Sequence, residues 1–598
     1  MSQSQQPQFD PKNMILAVAL SMAIVFGWQY FYAGPAAKKA EQQVTVQQQQ
    51  TAQVATDAAA SVQDAATVLA STQRVKLETP LLSGSINLKG ARIDDLRLTK
   101  YRETTAPSSP ATTLLAPAGT ANAYFVEHAF LKPTDTTLQV PTSDTVWTAP
   151  EGVTLTPDKP LTLTWDNGTG LKFERIISVN DSYLFTVKQT FTNSGSAAVL
   201  VSPFARVQRD DAPKALGTWT FYEGPLGVLN SSLQEHKYSE LKSAYEKNQG
   251  KDGSSFTTDS LGGWVGFTDK YWSTVVIPDT QTKVTADYEY VPLPGRDGYQ
   301  TDYRVAEPIS VPAGGSATYT DHVYAGAKVV GTINAIAASE KIDKFDLMID
   351  WGWFRPITQL MFWLLSSING IVGNFGVSIL IVTVAVKAVL FPLANKSYAS
   401  MSKMKNLKPQ MDLIKEKYPD DKTKQQQETM ELYKREKVNP MAGCLPIFIQ
   451  IPVFFSLYKV IYTTIELRQA PFFGWIHDLS VSDPTSIFNL FGLIPWHPPM
   501  AMMIGFWPLL MGITMWVQMR LNPTPPDPVQ AQMFNWMPVI FTYSMAAFPA
   551  GLTIYWAWSN FLSIIQQSYI MKKHGTEINI LGNIANSIPF LKKKPVAT

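Results

Sequence analysis

Apolar and polar positions divide the 598-residue chain into two textures. From Val75 to about residue 335, short runs alternate apolar and polar side chains and stop at Gly, Pro, Asn or Asp. The runs starting at Gly84, Leu161, Tyr183 and Lys283 are of this kind. Period two sends alternate side chains to opposite faces, so these runs predict half-buried strands, and residues 76–335 are expected to form a large β-sandwich. Beyond Lys341 the period becomes helical and the runs long and apolar. A run of about 20 residues rising about 1.5 Å each crosses a hydrocarbon layer of about 30 Å. Residues 13–33, 376–393, 441–462, 503–520, 534–549 and 551–570 are therefore expected to span a bilayer. The last two split one run that, as a single helix, would reach about 55 Å; Phe548-Pro549-Ala550-Gly551 in its middle reads as a tight hairpin. Residues 356–373 are uncharged and also long enough. Gln359, Ser366 and Asn369 share one helical face there, so 341–375 is expected to lie in the interface as an amphipathic helix.

Residues 34–75 are rich in Ala, Gln, Thr and Val, with few large apolar groups to bury, and read as a flexible linker. Met14–Tyr32 could serve as a cleaved signal peptide. Trp28, Tyr30, Phe31 and Tyr32 occupy the place of a small-residue cleavage motif, however, and suit an interfacial anchor. Formal net charge is +2 and charged residues are 16%, so nothing points to nucleic acid as a direct partner. Cys444 is the only cysteine, which excludes an internal disulfide. Orientation follows from the loops. Residues 394–437, read as a helical hairpin, hold eleven Lys or Arg against seven Asp or Glu, whereas 463–502 hold only Arg468 of the basic residues. The positive-inside rule places 394–437, the loop 521–533 and the basic tail 571–598 in the cytoplasm. Counting back puts 463–502 and 35–350 outside and residues 1–12 inside. Lys12 before the first run and Lys38 and Lys39 after it weakly favour the opposite sense; the stronger loop decides.

No Walker A, His-Glu-x-x-His or Gly-x-Ser-x-Gly pattern is present, so neither an enzyme nor a bound cofactor or metal is expected. The informative residues are polar groups inside apolar runs. Lys387 lies about 8 Å inside the end of its run marked by Pro392, with Thr383 one turn earlier on the same face. It reads either as a lysine snorkelling to headgroups or as the wall of a wet groove. Trp556, Ser559, Ser563 and Gln566 recur every three or four residues, and Gln450 and Ser456 interrupt another run; helix-to-helix hydrogen bonding and groove lining both fit. Pro446, Pro452, Pro508 and Pro538 are expected to kink helices. Ile451, Pro452 and Phe454, opposite Met537 and Phe541, are candidates for an apolar slide. Met401, Met404, Leu407, Met411 and Ile414 keep helical spacing in the hairpin, as a packed face or one that adapts to varied apolar clients.

These stretches resemble the YidC insertase family (YidC/Oxa/Alb, the Gram-negative type). Gly376 to Leu393, Lys396 to Lys405, Lys437 to Phe454, Glu466 to Phe472, Trp475 to Ser480 and Asn560 to Gln567 are similar to its conserved segments. In the β-domain, Gly262-Gly-Trp-Val-Gly-Phe-Thr-Asp-Lys-Tyr-Trp is similar to its motif. The resemblance implies a bacterial inner-membrane insertase and folding helper for nascent membrane proteins, acting alone or with the Sec translocon and near ribosomes. It implies a membrane α-helical bundle of six spans with a conserved five-span core, both termini cytoplasmic, plus an all-β periplasmic supersandwich similar to sugar mutarotases. It also implies that a basic residue at position 387 lines the groove. Well-known members carry Arg there, so this chain keeps the charge but not the planar fork of donors. A secondary transporter or channel with Lys387 as coupling charge is the alternative. No inverted repeat is evident and acidic residues are nearly absent from the apolar runs, which argues against it; solute uptake into vesicles would support it. A tethered carbohydrate enzyme is a third reading, for which six spans are excessive.

Overall fold

The computed structural model describes residues 62–575, apart from 132–137, 214–220, 250, 252, 420, 440–444, 497, 500–501 and 523–527. The N-terminal segment 1–12, the expected first anchor, most of the linker and most of the basic tail lie outside these residues, as do the start of the third expected span and part of the loop 521–533.

Two stacked sheets share one apolar core. The larger runs, neighbour by neighbour, through Ser255–Leu261, Lys283–Leu293, Arg296–Val305, Pro203–Asp210, Tyr124–Phe130, Arg92–Arg102, Leu82–Asn87, Arg74–Glu78 and Thr154–Leu155, with Ala111–Leu115 beside Arg92–Arg102. The smaller runs through Ser232–Glu235, Gly224–Leu229, Trp264–Thr268, Trp272–Ile277, Ser316–Ala327, Leu184–Asn193, Leu171–Val179 and Leu161–Asp166. Period two is literal in Leu171–Val179, where every odd position is buried. Phe130, Phe173 and Phe191 meet edge to face at 5.0–5.7 Å between the sheets. The odd position 175 is an arginine, fully buried over the Trp147 ring, donating to the His128 carbonyl and to Gln189 Oε1. His128 faces Asp321 at 3.1 Å across the core. Such a buried polar knot adds little net stability, yet it penalises any other register of the sheets.

The helices are α1 (Ala65–Ala70), α2 (Tyr238–Asn248), α3 (Val330–Ser339), α4 (Arg355–Val372), α5 (Phe375–Val389), α6 (Phe391–Asn406), α7 (Lys408–Lys417), α8 (Lys422–Arg435), α9 (Leu445–Thr463), α10 (Phe506–Leu521), α11 (Pro528–Met545) and α12 (Ala550–Lys573). The first three belong to the β-domain and its exit; the rest form a bundle and its hairpin. α12 touches α5, α6, α9 and α10 and is the hub. Among the described residues no single helix is long and apolar enough to cross a membrane. The pair α5 and α6 passes that test together, bent by 66° at its break. Pro392 in the first turn of α6 accounts for the bend, because it cannot donate the hydrogen bond that would continue α5.

Two sequence expectations change here, and one open alternative resolves towards the packed face. α4 does not present Ser366 to water: its hydroxyl is buried, and the exposed face carries Leu360, Trp363 and Ile371. Thr358, Met361 and Leu365 are the buried ones, because α4 packs on α5 and α9. The methionine face of the hairpin is also spent internally. Met401 packs on Tyr398 and Ile570, while Met404, Met411 and Ile414 close on Leu407, Leu432 and Val438. Pro508 stands in the first turn of α10, where a missing N–H costs nothing, so among the described residues only Pro452 and Pro538 lie in helix interiors.

The Gly262–Trp272 motif joins the two halves. Trp264 is fully buried, donates to the Asp343 carbonyl at 3.1 Å and meets Phe345 edge-on, gripping the segment that leads into α4. The turn that follows lies on the bundle. Lys270 Nζ is 3.6 Å from the centre of the Tyr462 ring, Tyr271 bonds Ser480 at 3.1 Å, and Arg468 lies against the Tyr271 and Trp272 rings. Asp350 ties the same junction, accepting from Tyr222 N, Gly352 N and Lys459 Nζ at 2.6–3.1 Å. Glu466 accepts from Val330 N at 2.9 Å, capping α3, and burial pushes its carboxyl up to about 7.

Candidate functional site

Inside the bundle, three helices bring polar side chains together. Lys387, in the last turn of α5, donates from Nζ to Ser563 Oγ of α12 at 2.8 Å and reaches Gln450 Oε1 of α9 at 3.4 Å. Gln450 in turn donates to the Tyr555 hydroxyl. Gln566 approaches the Lys387 carbonyl at 3.4 Å, and Ser563 donates to the Ser559 carbonyl. Ser559, Ser563 and Gln566 lie on one side of α12 because positions three and four apart share a helical face. Among the described residues Lys387 makes no ion pair; its partners are a hydroxyl and an amide. Beside it opens a cleft of about 360 Å³ between α5 and α12, lined by Val384, Lys387, Ala388, Phe391, Leu562, Ile565 and Gln566. The cation thus sits where a polar seam meets an apolar opening.

Not every candidate joins this seam. Thr383 is buried and returns its hydroxyl to the Ile379 carbonyl of its own helix. Ser456 is buried, with no hydrogen-bond partner among the described residues. Trp556 turns to the aromatic side, where its ring lies 4.7 Å from Phe454 and 5.6 Å from Phe541. It therefore groups with the slide candidates. Ile451 is exposed, and Pro452, Phe454, Met537 and Phe541 are half-buried. Tyr555, fully interior, was not among the candidates; its place one turn before Ser559 was the available signal. A second polar line on α12 was also missed. Asn560 approaches Thr514 at 3.4 Å, and Gln567 donates to Asn522 at 2.9 Å; the two residues stand seven apart, on one face towards α10.

The described residues of the β-domain carry a polar lattice. Glu127 accepts from Arg92 and Arg206, and Asp287 pairs with Arg304. Asp302 is pushed up to about 7, by burial first and then by Glu289 and Asp287, against the pull of Gln300 and Arg304. Among the described residues no group of His, Cys, Asp or Glu could hold a metal ion.

A family described as 60Kd inner membrane protein matches residues 367–577, and one described as YidC periplasmic domain matches residues 74–364. The chain is similar to the membrane protein insertase YidC of Bradyrhizobium diazoefficiens, 48% identical over 96% of this chain and 98% of the relative. It is also similar to that of Mesorhizobium japonicum, 49% identical over 98% and 99%. A solved active YidC insertase overlaps 83% of this chain and 93% of its own at 16% identity, with a TM-score of 0.34, too slight a likeness to add to the sequence match. With both its halves matched in order and nearly its whole length aligned to such relatives, the chain belongs to the YidC family of membrane protein insertases.

Proposed function

We propose that this chain inserts membrane proteins by holding a wet, polar groove part-way into the bilayer, with Lys387 as its cation. The observation that carries the reading is the placement of Lys387 Nζ against Ser563 and Gln450, without an ion pair among the described residues. A cation so placed is costly unless water or a passing polar segment solvates it. An incoming helix needs no fuel: about 20 apolar residues at roughly −0.3 to −0.6 kcal/mol each favour the bilayer. The barrier is the polar flank, at roughly +2.5 to +3.5 kcal/mol for each central charge. Groove polar groups (Lys387, Gln450, Ser559, Ser563, Gln566, with Tyr555 added) lower that barrier. The apolar side formed by Ile451, Pro452, Phe454, Met537, Phe541 and Trp556 receives the client helix. Ser456 and Thr383 act as bundle contacts.

In this reading α5 with the expected spans 441–462, 503–520, 534–549 and 551–570 forms the five-span core, and 13–33 adds a sixth span. The chain resides in the bacterial inner membrane with both termini cytoplasmic and the β-domain periplasmic. Clients come from ribosomes directly or through the Sec translocon, which the basic hairpin on the cytoplasmic side suits. The arrangement is tested by single cysteines in cells. One at Thr423, exposed on α8, is expected to be shielded from an impermeant thiol reagent added outside, and one at Ser182 to react. Reaction at Thr423 from outside would reverse the groove's side and remove the reading.

A further inference from the structure

We infer that residues 487–496, between α9 and α10, form an aromatic anchor lying in the acyl–headgroup boundary of the leaflet on the β-domain's side. Residues 484–506 contain no Asp, Glu, Lys or Arg. Within them Leu493 is 84% exposed, and Phe488, Leu490, Phe491, Ile494 and Trp496 are 43–54% exposed. Single exposed apolar residues are ordinary on any protein; six within nine positions form a patch that needs a partner. The chain turns through three successive left-handed residues, Leu490, Phe491 and Gly492, at φ 49°, 58° and 99°. Two of the three are bulky, a conformation that side chains normally avoid.

The base of the segment is fixed. Asp483 accepts from Thr485 N at 3.0 Å, Trp475 Nε1 at 3.1 Å and Trp507 N at 2.9 Å, and Ser486 donates to the Met502 carbonyl at 2.8 Å. Tyr271 reaches Ser480 just before it, which sets the patch on the β-domain's side of the bundle.

Continuity identifies the occupant as lipid. Phe491 lies 6.1 Å from Phe506, which lies 5.4 Å from Trp475 and 5.7 Å from Trp507. These rings, with the buried Asp483 beneath them, run into the exposed side of α10, where Ile513 is half exposed. An uncharged, aromatic-rich surface merging with a lipid-facing helix matches the boundary layer of a bilayer, where Trp and other amphipathic rings settle. Anchored there, the segment fixes the height of α10.

The inference rests on the bundle lying in a bilayer, and the test separates the two. Cys444 is replaced by Ser, and single cysteines are placed at Leu493, Phe491, Ile513 and, on the β-domain, the exposed Leu200. Each carries a nitrobenzoxadiazole label in nanodiscs of phosphatidylcholine and phosphatidylglycerol, with or without a shallow nitroxide lipid. The labels at Leu493 and Phe491 are expected to lose at least half their emission to the nitroxide lipid and to resist iodide, as at Ile513, while Leu200 does the reverse. Leu493 and Phe491 behaving like Leu200 while Ile513 is quenched would overturn the anchor, leave the bundle's placement intact and turn the patch into a protein-docking surface. Failure of quenching at Ile513 as well would overturn both. The exposure of Leu493 keeps its substitution from disturbing the fold.

Discussion

Lys387→Glu is expected to cut insertion of clients with Asp or Glu in the translocated tail at least tenfold, equivalent to about 1.4 kcal/mol or more. Lys387→Ala should impair the same clients less severely and spare those with short neutral tails. Lys387→Arg should retain activity, since charge and approximate reach survive. The ranking follows from the site. Nζ is held by Ser563 and Gln450 alone among the described residues, so an acidic tail entering the groove gains an opposite charge in a poorly screened place. A glutamate would repel it there. A lysine that only snorkels to headgroups behaves differently, its removal lowering insertion of all clients equally or not at all. Protease protection of paired acidic and neutral clients, in cells depleted of the native insertase, reads the difference. Equal insertion of both by the Ala variant at normal expression would remove the groove role of this residue.

Asp350→Ala is expected to loosen the β-domain from the bundle by about 2–3 kcal/mol without lowering insertion. The substitution leaves Tyr222 N, Gly352 N and Lys459 Nζ without that acceptor in a partly buried junction. Spin labels at Leu200 and Ile513 should show a single narrow distance distribution in the parent and a broad one in the variant. Deletion of 76–300 should likewise spare insertion, because the site residues lie on α5, α9, α11 and α12 and the deletion leaves Glu466 to cap the Val330 N–H. A client defect in Asp350→Ala as large as that of Lys387→Ala would mean that docking of the domain shapes the groove.

How much of this could be read from the chain depended on the kind of interaction. The sheets were legible because a strand shows its buried face in its own period, as Leu171–Val179 does. The bundle's seam was legible only as a set of polar positions in apolar runs. Gln450 and Ser563 are 63 and 176 residues from the lysine they meet, and nothing local separates them from Ser456 or Thr383. A helical hydroxyl can bond its own turn, as Thr383 does, and composition cannot tell which will. Trp556 shares the spacing of Ser559 and Ser563, yet its ring follows Phe454 and Phe541. The face of α4 was misread for a related reason. Ser366 shares a polar face with Gln359 and Asn369, whereas the packing of Met361 and Leu365 on the bundle decides the rotation of the helix and buries the Ser366 hydroxyl. The Gly262–Trp272 motif could be recognised but not explained until Lys270 and Tyr271 were seen against Tyr462 and Ser480.

The central claim, that this chain by itself moves a polar flank across a bilayer through the Lys387 groove, is tested most directly by reconstitution. The purified protein is placed in liposomes free of Sec components and presented with a short single-span client bearing an acidic tail. Protease is then added outside. The account predicts tail protection with the parent protein, little above lipid alone with Lys387→Glu, and parent-like protection with Lys387→Arg. Protection equal to that of protein-free liposomes with the parent, or undiminished protection with Lys387→Glu, would contradict it.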